Sequence, residues 1–173
     1  MEKSKIKIGI IGTGRIAHRF VQDLKIVEEA VLSCVYNPHS KSAERFVEDI
    51  CKDDENADRP IATSDLTQLF EACDAIYIAS PHATHYEYAK KALEAGKHVL
   101  CEKPMTLVLS EAEELFQIAK ERKLILREAV KTAYCPGFLK LLEVAKSGVI
   151  GEICDVEAAF TKLESTCGRE LTD

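Results

Sequence analysis

No apolar run in this 173-residue sequence is long; the longest, Ala75–Ala79, falls far short of the roughly 20 residues that a bilayer span needs. The opening residues, Met1–Ile8, interleave charges with apolar positions and offer nothing like a secretory leader. No basic cluster offsets the net charge of −6, which argues against a nucleic-acid surface. The seven cysteines are odd in number and contain no C-x-x-C pair, so neither a disulfide framework nor a zinc set is expected. Settings such as Ser33-Cys34-Val35 and Leu100-Cys101 predict buried, reduced thiols. Internal repeats and low-complexity tracts are missing too. These absences point to a soluble cytoplasmic protein that binds neither membrane nor nucleic acid. What is present, 46% apolar and 30% charged residues of both signs, can build the core of one ordinary domain with a short annex.

The chain alternates strand-like and helix-like segments. Ile6–Ile11 reads as a strand ended by Gly12, and Ile16, Ala17, Phe20, Val21 and Leu24 follow at helical spacing. Ala30–Tyr36 is a second strand, followed by a helix carrying Ala43, Phe46, Val47 and Ile50. Cys51–Arg59 reads as a solvated acidic loop. Ile61–Thr63 forms a short strand, and Ser64 is placed to cap a helix bearing Leu66, Leu69 and Phe70. Ala75–Ala79, apolar throughout, suits a strand buried on both faces. A helix from about His85 stops at Gly96, the strand Lys97–Cys101 follows, and Ser110-x-x-Glu113 resembles a capping box ahead of Leu115, Phe116 and Ala119. Leu124–Arg127 supplies a sixth strand. Strands joined by helices of this length predict a doubly wound α/β fold with a parallel sheet over residues 1–129.

Beyond residue 130 the pattern changes. Pro136 opens a helix carrying Phe138, Leu141, Leu142 and Ala145, which Gly148 closes. Cys154, Val156, Ala158 and Phe160 then alternate with other residues, as in a half-exposed antiparallel strand. Residues 130–173 therefore read as the incomplete opening of an α+β substrate domain. The orphan strand predicts a homo-oligomer formed through it.

Gly12-Thr13-Gly14-Arg15-Ile16-Ala17 fits G-x-G-x-x-[GA] between a strand and a helix. Gly12 permits the tight turn, Gly14 lets a pyrophosphate approach, and Ala17 allows close helix–strand packing. The helix N-terminus adds free N–H groups and partial positive charge. No Gly-Lys-[Ser/Thr] follows, so a nucleotide triphosphate loop is excluded. The loop residues Gly12, Thr13, Gly14, Arg15 and Ile16 are thus candidate contacts to a nicotinamide dinucleotide. About 20 residues on, where a ribose-binding acid favours NAD, stands Asn37. NAD and NADP both remain possible. The missing carboxylate removes a repulsion against a 2′-phosphate and leans the reading to NADP.

At the end of the fifth strand stands Glu102-Lys103-Pro104. In open α/β sheets ligands bind at the carboxyl ends of strands, so these residues face a bound nicotinamide. A partly desolvated lysine beside that cationic ring suits proton exchange with a hydroxyl as hydride leaves its carbon. Lys103 is the candidate catalytic residue.

In order, GIIGTGRIA, Ser80-Pro81-His82-Ala83-Thr84-His85, Glu102-Lys103-Pro104 and Glu128-Ala129 resemble the motifs of the glucose–fructose oxidoreductase/inositol dehydrogenase (Gfo/Idh/MocA) family. The wording around Glu102 and Glu128 is most similar to its dihydrodiol-dehydrogenase-like branch. The resemblance covers essentially the whole chain. It implies an NAD(P)-dependent oxidoreductase acting on a sugar, polyol or cyclic diol, of which this chain is the N-terminal half. It also implies that Lys103 sits beside the nicotinamide with Glu102 and Pro104 fixing it, often through a cis Lys-Pro bond. Ser80, Pro81 and His85 would line the cofactor pocket, and Glu128 would sit near the domain junction. His82 stands where the family usually has Asn, and Ala133 where many members have Arg. Gly168–Leu171 resembles the stretch before the family's substrate-binding segment.

His82 and His85 find no further Cys or His pair to complete a tetrahedral metal set, so no metal is expected. Cys101 is not expected to act as a nucleophile, since its strand position and Glu102 disfavour a thiolate. Tyr77, Tyr86, Tyr88 and Tyr134 read as core or rim. Without the half that would hold a substrate, this chain is expected to be inactive alone. The alternatives are a non-catalytic NAD(P)-binding module or sensor, and a remnant that only folds or associates.

Overall fold

A computed structural model describes residues 4–52, 59–159 and 161. It divides into two compact units, Met1–Ala129 and Val130–Asp173. The first is a six-stranded sheet in the order β3-β2-β1-β4-β5-β6, parallel throughout. Its strands are β1 (Ile6–Ile11), β2 (Ala30–Tyr36), β3 (Ile61–Thr63), β4 (Ala75–Ile78), β5 (His98–Cys101) and β6 (Leu126–Glu128). The helices are α1 (Arg15–Leu24), α2 (Ser40–Cys51), α3 (Leu66–Ala72), α4 (His85–Glu94) and α5 (Leu109–Glu121).

The continuous apolar character of the strands follows from burial on both faces. Successive strand residues point to opposite sides. Ile10 and Tyr77 join Ala17, Val21, Phe46 and Val47 of α1 and α2, whereas Ile11, Ile76 and Ile78 join Leu69, Leu93 and Leu115 of α3, α4 and α5. Each fully buried Ile side chain contributes about 1.5–3 kcal/mol. The sheet also demands one missing side chain. A Cβ on Gly9 would lie 2.8 Å from both Cys73 Sγ and Leu69 Cδ1, so glycine lets α3 close onto β1. Beside it the β1–β2 register shifts between Ile8 and Gly9, and Ser33 Oγ donates to the Ala72 carbonyl at 2.9 Å.

Several local expectations are corrected. The cap of α3 is Asp65, whose Oδ1 accepts from Thr67 N at 2.8 Å, because the helix starts one residue later than Ser64 could serve. Helix α5 begins at Leu109 after Val108, which leaves Ser110 inside the first turn and forms no capping box. Phe116 is half exposed, lying one helical step off the buried Leu115–Ala119 line. Strand β6 starts at Leu126 because Leu124 N is spent on the Ala119 carbonyl at the exit of α5. Cys51 is a buried end of α2 rather than part of a loop, and 53–58 lie outside the described residues. Gly96 does close α4, with φ +76° immediately after the C-cap Ala95.

The second unit holds α6 (Pro136–Lys146), with Pro136 in its first turn and Gly148 at φ +78° just beyond it. None of its residues is buried. Cys154–Ala159 is exposed and forms no strand, because a strand needs neighbours to complete its hydrogen bonds and the described residues offer none. The oligomer expected through this segment has no formed strand to rest on. Phe160, Cys167 and Gly168–Leu171 lie outside the described residues. Among the described residues, no helix is long and apolar enough to cross a membrane.

Candidate functional site

The sheet's hydrogen bonds run one residue past most strands at the carboxyl edge. Gly12 N donates to Tyr36 O, Asn37 N to Thr63 O, Ala79 N to Ile11 O, Glu102 N to Ile78 O and Ala129 N to Cys101 O, all at 2.7–3.1 Å. The segments that leave the sheet therefore start from fixed positions along one edge. The strand order reverses between β1 and β4, the crevice where doubly wound folds bind ligands.

Gly12 faces that crevice at φ +103°. A Cβ there would lie 2.5 Å from the Ala79 carbonyl oxygen, so the turn closes against the segment leaving β4 only with glycine. A Cβ on Gly14 would meet nothing within 4 Å: the second glycine opens onto free space. Gly14 is the N-cap of α1, supplies no side-chain cap, and the first turn of α1 contains no acid. Open space, a bare helix start and positive partial charge are what a pyrophosphate requires, so these residues fit a dinucleotide. Arg15 and Ile16 are exposed on the first turn, and Thr13 is half-buried.

Asn37 joins the end of β2 to this loop. Its Nδ2 donates to Thr13 Oγ1 at 2.8 Å, while its Oδ1 accepts from His39 N at 2.9 Å. Helix α2 then begins at Ser40 with no acid in its first turn. No carboxylate stands at the tip of β2, where a 2′-phosphate would be repelled. An open cleft of about 620 Å³ between α1 and α2 reaches this region through Thr13 and Ser42 and continues along α2 past Arg45, Phe46 and Asp49.

Across the crevice, Ser80 is half-buried and its Oγ accepts from Thr84 Oγ1 at 2.8 Å, while Pro81 is exposed. His85 is fully buried, with Nδ1 2.8 Å from the Pro104 carbonyl oxygen and Nε2 2.9 Å from that of Ser80. Its ring is thus behind the pocket wall rather than lining it, since it is fully buried and its one N–H is given to a backbone carbonyl. His82 packs edge-on to it, ring centroids 5.4 Å apart.

Glu102 is half-buried and Lys103 exposed, so the desolvation expected of Lys103 is not provided by this unit alone. The Lys103–Pro104 peptide is cis. Tyr77, which the sequence marked as core or rim, donates its hydroxyl to Glu102 Oε1 at 2.8 Å and stacks on Phe20 at 3.8 Å. Burial and the Glu102 carboxylate push this phenol far above its usual range, so it stays a donor. Strand register was the signal that could have found it: Tyr77 pairs with Leu100, and Glu102 lies two residues farther on the same face. Glu128 Oε1 accepts from Met105 N at 2.8 Å. Cys101 is fully buried and its thiol is pushed up to about 12 by that burial and then by Glu102 and Glu128, an inert state.

Strand order, glycine loop and an acid–lysine pair at the edge of β5 define a dinucleotide-binding Rossmann domain. The chain belongs to the Gfo/Idh/MocA family, whose model, described as an oxidoreductase family with an NAD-binding Rossmann fold, matches residues 6–130. It is 42% identical over 138 residues to a scyllo-inositol 2-dehydrogenase (NADP(+)) of Bacillus subtilis, covering 79% of this chain and 40% of that protein. It is 35% identical over 158 residues to a D-xylose 1-dehydrogenase (NADP(+)) of Hypocrea jecorina, covering 86% and 40%. A solved 3-ketoreductase of Actinomadura kijaniata in complex with NADP superposes with a TM-score of 0.74 at 32% identity, covering 86% of this chain and 46% of that one. The chain spans less than half the length of these relatives.

Proposed function

We propose that this chain is the dinucleotide-binding half of an NADP-dependent oxidoreductase that moves hydride between the cofactor and a carbon bearing a hydroxyl on a sugar, polyol or cyclic diol. One observation carries the reading: the open, acid-free glycine loop and Lys103 leave the same edge of one sheet, the loop from β1 at the switch point and Lys103 from β5, beside β4 on the other side of it. The nicotinamide supplies the hydride acceptor or donor when bound. Gly12, Thr13, Gly14 and the first turn of α1, with Arg15 and Ile16, receive the pyrophosphate. Asn37 and the start of α2 receive the adenosine ribose and its phosphate. Ser80 and Pro81 wall the nicotinamide end, with His85 behind them. Lys103, fixed by Glu102, exchanges a proton with the substrate hydroxyl. Residues 1–129 form the cofactor domain, and 130–173 open the domain that would hold substrate. The lean to NADP rests on the missing acid at Asn37 and on relatives named for that cofactor.

Thermal-shift titration with NADPH and NADH in parallel tests this. Saturation at 100 times Kd adds about 2.7 kcal/mol, a rise of roughly 5–10 °C for a chain of this size. The expected result is that rise with NADPH and a smaller one with NADH. No rise with either nucleotide overturns the reading.

A further inference from the structure

Four residues, Glu102, Lys103, Pro104 and Met105, carry the lysine across the edge of the sheet, and three side chains from separate elements grip this segment on both sides of it. From β4, the Tyr77 hydroxyl donates to Glu102 Oε1 at 2.8 Å, while the other carboxylate oxygen accepts from Lys103 N at 3.3 Å. From the first residue of α4, His85 sets its ring nitrogens 2.8 Å from the Pro104 carbonyl and 2.9 Å from the Ser80 carbonyl, and in the tautomer protonated at Nδ1 it donates to Pro104. From β6, Glu128 accepts from Met105 N at 2.8 Å, and Met105 itself is buried. Among the described residues the Lys103 side chain has no hydrogen bond or ion pair, so its placement is inherited from its backbone.

We propose that Tyr77, His85 and Glu128 are positioning residues for Lys103, fixing the backbone that carries it without touching its ammonium. This rests on the reading of Lys103 as the group beside the nicotinamide. The chemistry explains the division of labour. Proton exchange requires the amine within hydrogen-bond reach of a reacting hydroxyl, and misplacement by about 1 Å can cost on the order of a hundredfold in rate. A long, flexible lysine gains such accuracy only if its first rotatable bond starts from a rigid point. Tyr77 is itself held by Phe20, and the fully buried His85 ring packs between the Pro104 and Ser80 carbonyls.

The test follows the ¹³Cε resonance of Lys103 in isotopically labelled chain, assigned by its loss in Lys103→Arg, before and after saturation with NADP⁺. ADP affinity and the unfolding midpoint report whether the adenine half and the fold survive. The wild-type resonance is expected to move on NADP⁺ binding. In Tyr77→Phe, His85→Gln and Glu128→Ala that movement should fall below about half while ADP affinity stays within about twofold, and Glu128→Gln, which keeps an acceptor for Met105 N, should restore it. Movement equal to wild type in the three variants overturns the positioning role. A general loss of ADP binding in all of them also overturns it, since that marks a structural effect. No movement in the wild-type chain removes Lys103 from the nicotinamide, an outcome separate from failure of the variants.

Discussion

Asn37 donates from Nδ2 to Thr13 Oγ1 at 2.8 Å, which ties the tip of β2 to the glycine loop. The same side chain accepts from His39 N and aligns the entry to α2. One neutral amide thereby organises the glycine loop and the entry to α2, the two segments proposed to receive the adenosine end of the cofactor. On the proposed reading its neutrality matters as much as its geometry, because a carboxylate at this point would repel a 2′-phosphate.

Asn37→Asp therefore should reverse the nucleotide preference. The added charge repels a 2′-phosphate and gains a ribose hydroxyl as donor. A tenfold change in the NADPH-to-NADH affinity ratio, about 1.4 kcal/mol, is the expected size. Paired titrations of the wild-type and variant chains measure it, and an unchanged ratio would place the phosphate elsewhere.

The two loop glycines should fail differently. In Gly12→Ala the new methyl meets the Ala79 carbonyl at 2.5 Å in a left-handed backbone region, so the turn must shift, at a cost of about 1–3 kcal/mol in the free protein. In Gly14→Ala the methyl meets nothing, so the free chain should lose only the N-cap preference of glycine over alanine, about 0.5–1 kcal/mol or a few degrees. On the proposed reading that methyl would stand where the pyrophosphate binds, so the NADPH-induced rise in Tm should be lost in both variants. Equal stability losses in the two would contradict the geometry.

The contrast between these glycines shows how far the sequence could be read. Gly12 and Gly14 were legible because a known spacing sat between a strand and a helix. The parallel sheet was legible because β1, β4 and β5 are apolar at nearly every position, as burial on two faces requires. Local termini were less so. Asp65 and Ser64 are both good caps, and the choice between adjacent residues shows only in the structure, where Asp65 accepts from Thr67 N. Cys154–Ala159 has the alternation of a strand, but alternation describes a face and not the neighbours that complete it. Tyr77 was invisible for the opposite reason: inside an apolar strand a tyrosine looks like core, and its hydroxyl becomes informative only when register brings β5 alongside.

The buried thiols give a pH dependence of definite sign. Burial raises Cys34 from an ordinary 9.0 to about 11, and Cys73 and Cys101 to about 12. Below pH 9 both folded and unfolded chains hold these protons. Above it the unfolded chain releases them while the folded chain does not, so their contribution to stability is lost as pH climbs from about 9 toward 11–12. Each thiol contributes a slope of at most about 1.4 kcal/mol per pH unit in that window. Urea unfolding between pH 8 and 11 should show the decline, and Cys101→Ala should flatten it. Brief alkylation at neutral pH followed by mass spectrometry should modify the exposed Cys135 and Cys154 and spare Cys34, Cys73 and Cys101. Rapid labelling of Cys101 would mean that the β5 edge opens far more readily than its packing against β4 and β6 allows.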